Sequence, residues 1–186
     1  GLSAGGGMAA VMLATYPELF AGGAIIAGIP YRCATSSGEA LSQCGVSVSG
    51  QLVPMKDLSP SAWGNLVRNA SSYSGPFPRV SIWQGASDAT VNPMVQHELL
   101  DQWTNVLGID QVPDNEDAID GHEHKLYMNG NGDALVETVL IDGMAHGTPI
   151  DPGEGDDQCG KPAPFILDVD TCSSFHILKF WGLELP

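Results

Sequence analysis

The first five residues, Gly1-Leu2-Ser3-Ala4-Gly5, follow the pattern Gly-x-Ser-x-Gly. A serine in this setting sits on a sharp turn between a strand and a helix, with its hydroxyl lifted clear of the sheet. Glycines two before and two after the serine are expected to let strand and helix pass closely without a Cβ clash. The following helix aims free N–H groups and its positive dipole end at any oxyanion formed there. The chemistry this permits is nucleophilic attack on an acyl carbon.

A serine hydroxyl is a weak nucleophile. It needs a base, and the base needs an orienting acid. In a sheet of this kind the chain order is Ser, then Asp or Glu, then His. Each partner belongs in a loop just after a strand, at the same sheet edge as the serine. Asp88, in Gly85-Ala86-Ser87-Asp88-Ala89, follows an apolar run ending at Trp83. His146, in Gly143-Met144-Ala145-His146-Gly147, follows another ending near Ile141. Other histidines fit less well. His97 and His176 fall in helical segments. His122 and His124 are too close for the H-E-x-x-H zinc spacing and read as a strand face. The carboxylates of 110–120 and 151–157 could meet calcium through oxygen. Neither segment has the EF-hand pattern, so both read as solvated acidic loops.

The elements that must hold these residues alternate between strand and helix. Met8 to Tyr16 is rich in good helix formers, and Pro17 stops it. The apolar run between Gly23 and Gly28 reads as a buried parallel strand. Residues 30–57 carry turn residues without a clear period and read as a loop or lid. Ser59-Pro60 starts a helix to about Asn69. Arg79 to Trp83 is a second buried strand. Asn92-Pro93 opens a helix to about Leu107, with Met94, Val95, Leu99, Leu100, Trp103 and Val106 at helical spacing. His124–Met128 and Leu135–Ile141 flank Asn129-Gly130-Asn131-Gly132 as a hairpin. Residues 147–164 read as loop, and Ser173 to Trp181 as a closing helix. Trp63, Trp83, Trp103 and Trp181 read as core. This order predicts an α/β fold with a mostly parallel sheet flanked by helices, as one domain over 1–186.

Net charge is −15, with only 7 Lys and Arg. A nucleic-acid partner is excluded, because that binding relies on basic residues displacing counterions. No apolar run reaches the length of a membrane-spanning helix. The four cysteines form no C-x-x-C pair, so an even count in a loop-rich chain points to disulfides and an oxidising compartment. Three pairings are possible; the local ones, Cys33–Cys44 and Cys159–Cys172, are preferred. Asn69-Ala70-Ser71 is a glycosylation sequon.

Several segments resemble the polyhydroxybutyrate-depolymerase/esterase family of the α/β-hydrolase superfamily. They are Gly1 to Gly6, Gly28-Ile29-Pro30-Tyr31-Arg32-Cys33-Ala34, Trp83-Gln84-Gly85 with Asp88 and Val91, and Gly143 to Pro149. The tail from Ala163-Pro164-Phe165 to Phe180-Trp181-Gly182-Leu183 also matches. The resemblance implies a secreted or periplasmic serine esterase without a cofactor, acting on a polyester or small ester. Ser3 would be the nucleophile, Asp88 the triad acid, His146 the base and the Ala4 backbone N–H an oxyanion donor. Poly(3-hydroxybutyrate) or hydroxyalkanoate oligomers are the leading substrate expectation. Feruloyl or acetylxylan esters are the second. An inactive fragment or a polyester-binding module is the third. The family carries strands and a second oxyanion loop ahead of the elbow that this sequence lacks. The residues after His146 already match the family's tail, which argues against circular permutation. The expectation is therefore a C-terminal portion of the fold, its other half supplied by a separate chain or a longer sequence.

Overall fold

A computed structural model describes residues 1–47, 49–51 and 53–183. Helix α1 (Ala4–Thr15) starts directly after Ser3, four residues ahead of the apolar run that announced it. Strand β1 (Gly22–Ile26) follows, then α2 (Ser37–Gln43) and α3 (Pro60–Arg68). Strand β2 (Arg79–Gly85) and helix α4 (Val95–Leu107) form the next pair. Strands β3 (Asn115–Ile119), β4 (His122–Met128) and β5 (Ala134–Ile141) come next. Short strands β6 (Thr148–Ile150) and β7 (Ile166–Asp168) precede α5 (Ser173–Phe180).

The main sheet has the order β1-β2-β5-β4-β3. β1, β2 and β5 are parallel, while β4 and β3 run antiparallel beside them. Gly1 and Leu2 extend the parallel part, because Leu2 bridges to Ile26 in the parallel sense. The α/β fold with a mostly parallel sheet is thus present as expected. Alternation along each strand splits the core into two layers. Ile25, Val80, Ile82 and Val136 pack with Leu13 of α1, Val67 of α3 and Leu99 of α4. Ala24, Ile26, Trp83, Val139 and Ile141 pack on the opposite face with Ile177 of α5. Trp63, Trp83 and Trp103 are fully buried, as core residues should be. A buried Glu98 carboxylate accepts the Trp63 indole N–H at 2.6 Å, tying α3 to α4.

Three expectations need correction. The 30–57 loop contains α2, whose Ser36 side chain accepts the Glu39 N–H as an N-cap; residues 48 and 52 of that stretch lie outside the described residues. The acidic loop yields β3, held by its ladder to β4 despite an almost fully exposed face. Residues 147–164 contain β6, which pairs in parallel with β7.

Cys33 and Cys44 are joined, as are Cys159 and Cys172, so the local pairing holds. The bridges span 11 and 13 positions of sequence. Closing loops of this length removes freedom from the unfolded chain worth roughly 3 kcal/mol each. Replacing Cys159 and Cys172 together by Ser is expected to lower unfolding stability by about that amount, read from the urea midpoint. An unchanged midpoint would show that β6, β7 and α5 hold the loop without the bridge.

Candidate active site

Ser3 occupies a backbone conformation that L-residues seldom adopt, with φ 57° and ψ −120°. Such a residue costs on the order of 1–3 kcal/mol and persists only where its surroundings over-determine it. Here the surroundings are main chain. The Ser3 N–H donates to Ile26 O at 2.8 Å, and the Ile26 N–H donates to Gly1 O at 2.9 Å. The Gly5 N–H closes the turn on Leu2 O at 2.7 Å. Ala4 is the first helical residue, so its N–H has no acceptor within the helix.

The glycine argument shifts by one position. A Cβ at Gly5 would meet nothing within 4 Å. A Cβ at Gly6 would lie 3.0 Å from Gly1 O, Gly28 Cα and Ile26 O. Close passage of helix and sheet therefore depends on Gly6 and Gly28, while Gly1 lies against Gly5 itself.

Asp88 follows β2 and is 2% exposed. Its Oδ1 accepts the Thr90 and Val91 N–H groups, both at 2.8 Å. Its Oδ2 accepts Gln84 Nε2 at 3.1 Å and faces His146 Nδ1 at 2.7 Å. Burial pushes this carboxyl upward, but the hydrogen bonds from His146, Val91 and Thr90 outweigh it and hold the pKa below the ordinary aspartate value. The loop carrying Asp88 and the loop carrying His146 are joined by main chain. Ala86 N–H donates to Ile141 O at 2.9 Å, and Ser87 N–H to Met144 O at 3.0 Å. Gly85 permits this approach, since a Cβ there would lie 2.7 Å from Ala145 O.

With Nδ1 engaged by a carboxylate, Nε2 is the nitrogen left to accept a proton. Ser3, Ala4 and His146 line one cleft of about 580 Å³, with Leu2, Thr90 and Phe165. The structure thus brings all three sequence-predicted residues to one sheet edge. Asp88 and His146 are hydrogen-bonded; Ser3 and His146 share the cleft wall without a hydrogen bond between them.

Two features escaped the sequence reading. Phe165 is 59% exposed and its ring packs T-shaped with the His146 imidazole, with centroids 6.1 Å apart and planes at 77°. Its sequence signal is Pro164, which favours the second position of a tight turn. His124 is more than a strand face. It bridges Asp117, at 2.6 Å from Nδ1, and buried Glu137, at 3.2 Å from Nε2. Ser81 Oγ donates to Glu137 at 2.6 Å and accepts the Trp83 indole N–H at 2.6 Å. None of the remaining histidines lines the Ser3 cleft. His97 lines an adjoining cleft of about 660 Å³ that shares Gly50 and Ala89 with the first, His122 accepts the Asp142 N–H, and His176 meets Asp120 at 3.1 Å. Of the acidic residues, Asp151 gathers with Asp168 and Asp170 within 4.8 Å, the latter two exposed.

A mostly parallel sheet whose carboxyl-end loops carry an elbow serine and a hydrogen-bonded His–Asp pair is the arrangement of the α/β-hydrolase fold. Its nearer kin follow from sequence. The chain is 52% identical over 184 residues to poly(3-hydroxyalkanoate) depolymerase C of Paucimonas lemoignei, covering 98% of this chain and 42% of that protein. It is 35% identical over 153 residues to an acetylxylan esterase of Coprinopsis cinerea, covering 80% of this chain and 38% of that protein. The fold aligns with an acetyl xylan esterase from Aspergillus awamori at a TM-score of 0.64 and 25% identity, over 98% of this chain and 57% of that one. It aligns with the PHB depolymerase from Penicillium funiculosum at 0.63 and 24% identity, over 100% and 50%. No protein-family model matches the chain. The chain belongs to the polyhydroxybutyrate-depolymerase/esterase family, and it spans less than half the length of either of these two curated relatives.

Proposed function

We propose that the chain carries the catalytic groups of a serine esterase acting on poly(3-hydroxybutyrate) or hydroxyalkanoate oligomers. The observation that carries this reading is the Asp88–His146 pair at 2.7 Å, whose imidazole lines the cleft that also holds an elbow serine. Similarity to a poly(3-hydroxyalkanoate) depolymerase supports the substrate class. Ser3 Oγ attacks the ester carbonyl while His146 Nε2 takes its proton. The oxyanion of the tetrahedral intermediate faces the Ala4 N–H. Collapse expels the alcohol, protonated by His146, and leaves an acyl group on Ser3. Water then attacks that acyl group by the same route and frees the acid. Asp88 keeps the imidazole in the tautomer with Nδ1 protonated and steadies its cationic form. No step requires a cofactor. The two disulfides support a site of action outside the cytoplasm. No described helix is long and apolar enough to cross a membrane.

A fluorophosphonate probe tests the site, because it reacts with a serine activated by its base. Peptide mass spectrometry is expected to find the label on Ser3, and Ser3→Ala to abolish it. Labelling at another serine, or none, would overturn the assignment.

A further inference from the structure

Phe165 sits where the fold gains nothing from a phenylalanine. The turn Ala163-Pro164-Phe165-Ile166 is closed by Ile166 N–H to Ala163 O at 2.9 Å and Ala163 N–H to Ile166 O at 3.2 Å. Phe165 takes φ 64° there, the left-handed region suited to Gly or Asn at the third position of a turn after Pro. A bulky side chain in that region is an outlier. The ring is mostly exposed, so burial in the core does not compensate for the strain. It is instead held at the cleft. The Phe165 carbonyl accepts the Thr148 N–H at 2.8 Å, two residues past His146, and the ring packs T-shaped with the imidazole. A strained residue that does not serve packing points to a role in what binds beside it.

We infer that Phe165 is a specificity-determining residue that contacts the alcohol portion of the ester, an inference that rests on the esterase reading above. The imidazole that takes the Ser3 proton must then protonate the leaving oxygen. The alcohol portion therefore departs on the imidazole side of the cleft. A ring against that imidazole touches the first atoms beyond the leaving oxygen. An apolar ring with no hydrogen-bonding group favours an aliphatic, branched alcohol portion over a sugar hydroxyl face. In a hydroxyalkanoate chain that portion is the next repeat unit.

The test is Phe165→Asn, since Asn tolerates the left-handed conformation and removes only the ring. Two series separate the sides of the ester: butyrates from methyl to hexyl alcohol, and methyl esters from acetate to hexanoate. For hexyl butyrate kcat/KM is expected to fall about tenfold, mostly through KM, as when one aromatic contact is lost. The methyl esters should change less than twofold, and Tm should not fall. Phe165→Tyr should restore the hexyl rate. An equal loss in both series, a loss confined to the acyl series, or no loss would overturn the inference. If the parent chain hydrolyses neither series, the esterase reading fails. Calorimetric binding of hexyl butyrate then decides the Phe165 contact, and an equal or undetectable affinity in parent and variant overturns it.

Discussion

Asp88→Asn is expected to lower kcat for ester hydrolysis about 10⁴-fold, the loss seen when an orienting aspartate gives the imidazole the wrong tautomer. The reason lies in the hydrogen-bond census around the carboxylate. Asp88 receives N–H groups from Thr90, Val91 and Gln84, and it faces His146 Nδ1. An amide has only one acceptor oxygen. Turned toward Thr90 and Val91, its oxygen leaves the NH₂ facing Nδ1, which must then be unprotonated. Nε2 carries the proton instead and can no longer take one from Ser3. Turned the other way, the NH₂ opposes two backbone N–H groups that cannot move. Either placement leaves a buried donor unpaired, at about 1–3 kcal/mol. Steady-state rates with Tm measured alongside will separate the two effects. A variant retaining a tenth of the parent kcat would remove Asp88 from the mechanism. The same carboxyl links stability to pH. Its folded pKa is depressed, so its contribution is present above the ordinary aspartate value and is lost as pH falls through the folded pKa.

At a pH below the ordinary histidine value, where His124 is protonated, Glu137→Ala is expected to destabilise the fold by about 3–5 kcal/mol, the usual consequence of removing one partner from a buried ionic pair. Glu137 is 2% exposed in the middle of β5, between Ser81 of β2 and His124 of β4. Its loss strands the Ser81 hydroxyl and the inner nitrogen of His124 together. Denaturant unfolding of Glu137→Ala checks the size, and a loss below 1 kcal/mol would show that water replaces the carboxylate freely. Burial lowers the His124 pKa, but Glu137 and Asp117 outweigh it and raise it above the ordinary histidine value. The stability it contributes is therefore full below that ordinary value and declines as pH rises through the folded pKa. In Glu137→Ala that decline should move to lower pH.

The site was legible because its parts announce themselves locally. Ser3 has a motif, and Asp88 and His146 each follow an apolar run that became β2 or β5. Chain order did the rest. Helix α4 was legible through its apolar spacing and α3 through Ser59-Pro60, with Pro at the first helical position. What stayed hidden has little local signal. β3, Asn-Glu-Asp-Ala-Ile, has four exposed residues of five, so only its ladder to β4 makes it a strand. β6 and β7 have three residues each, too few for a period. α2 has no buried residue and is held by its cap. Gly6 rather than Gly5 bears the close contact because the helix begins at once after Ser3, which fixes which side faces the sheet. Phe165 was invisible because sequence marks a turn but not a side chain at odds with it.

The Cys159–Cys172 bridge encloses the turn that carries Phe165. In the oxidising surroundings that two disulfides favour, a protein meets proteases, and exposed loops of this kind are where they cut. A cut anywhere between the two cysteines would sever the backbone without freeing a fragment. The ends stay tied, β7 stays within reach of β6, and the wall of the cleft beside His146 keeps its neighbours. The bridge thus gives the site a tolerance of nicking that a stronger hydrophobic core would not.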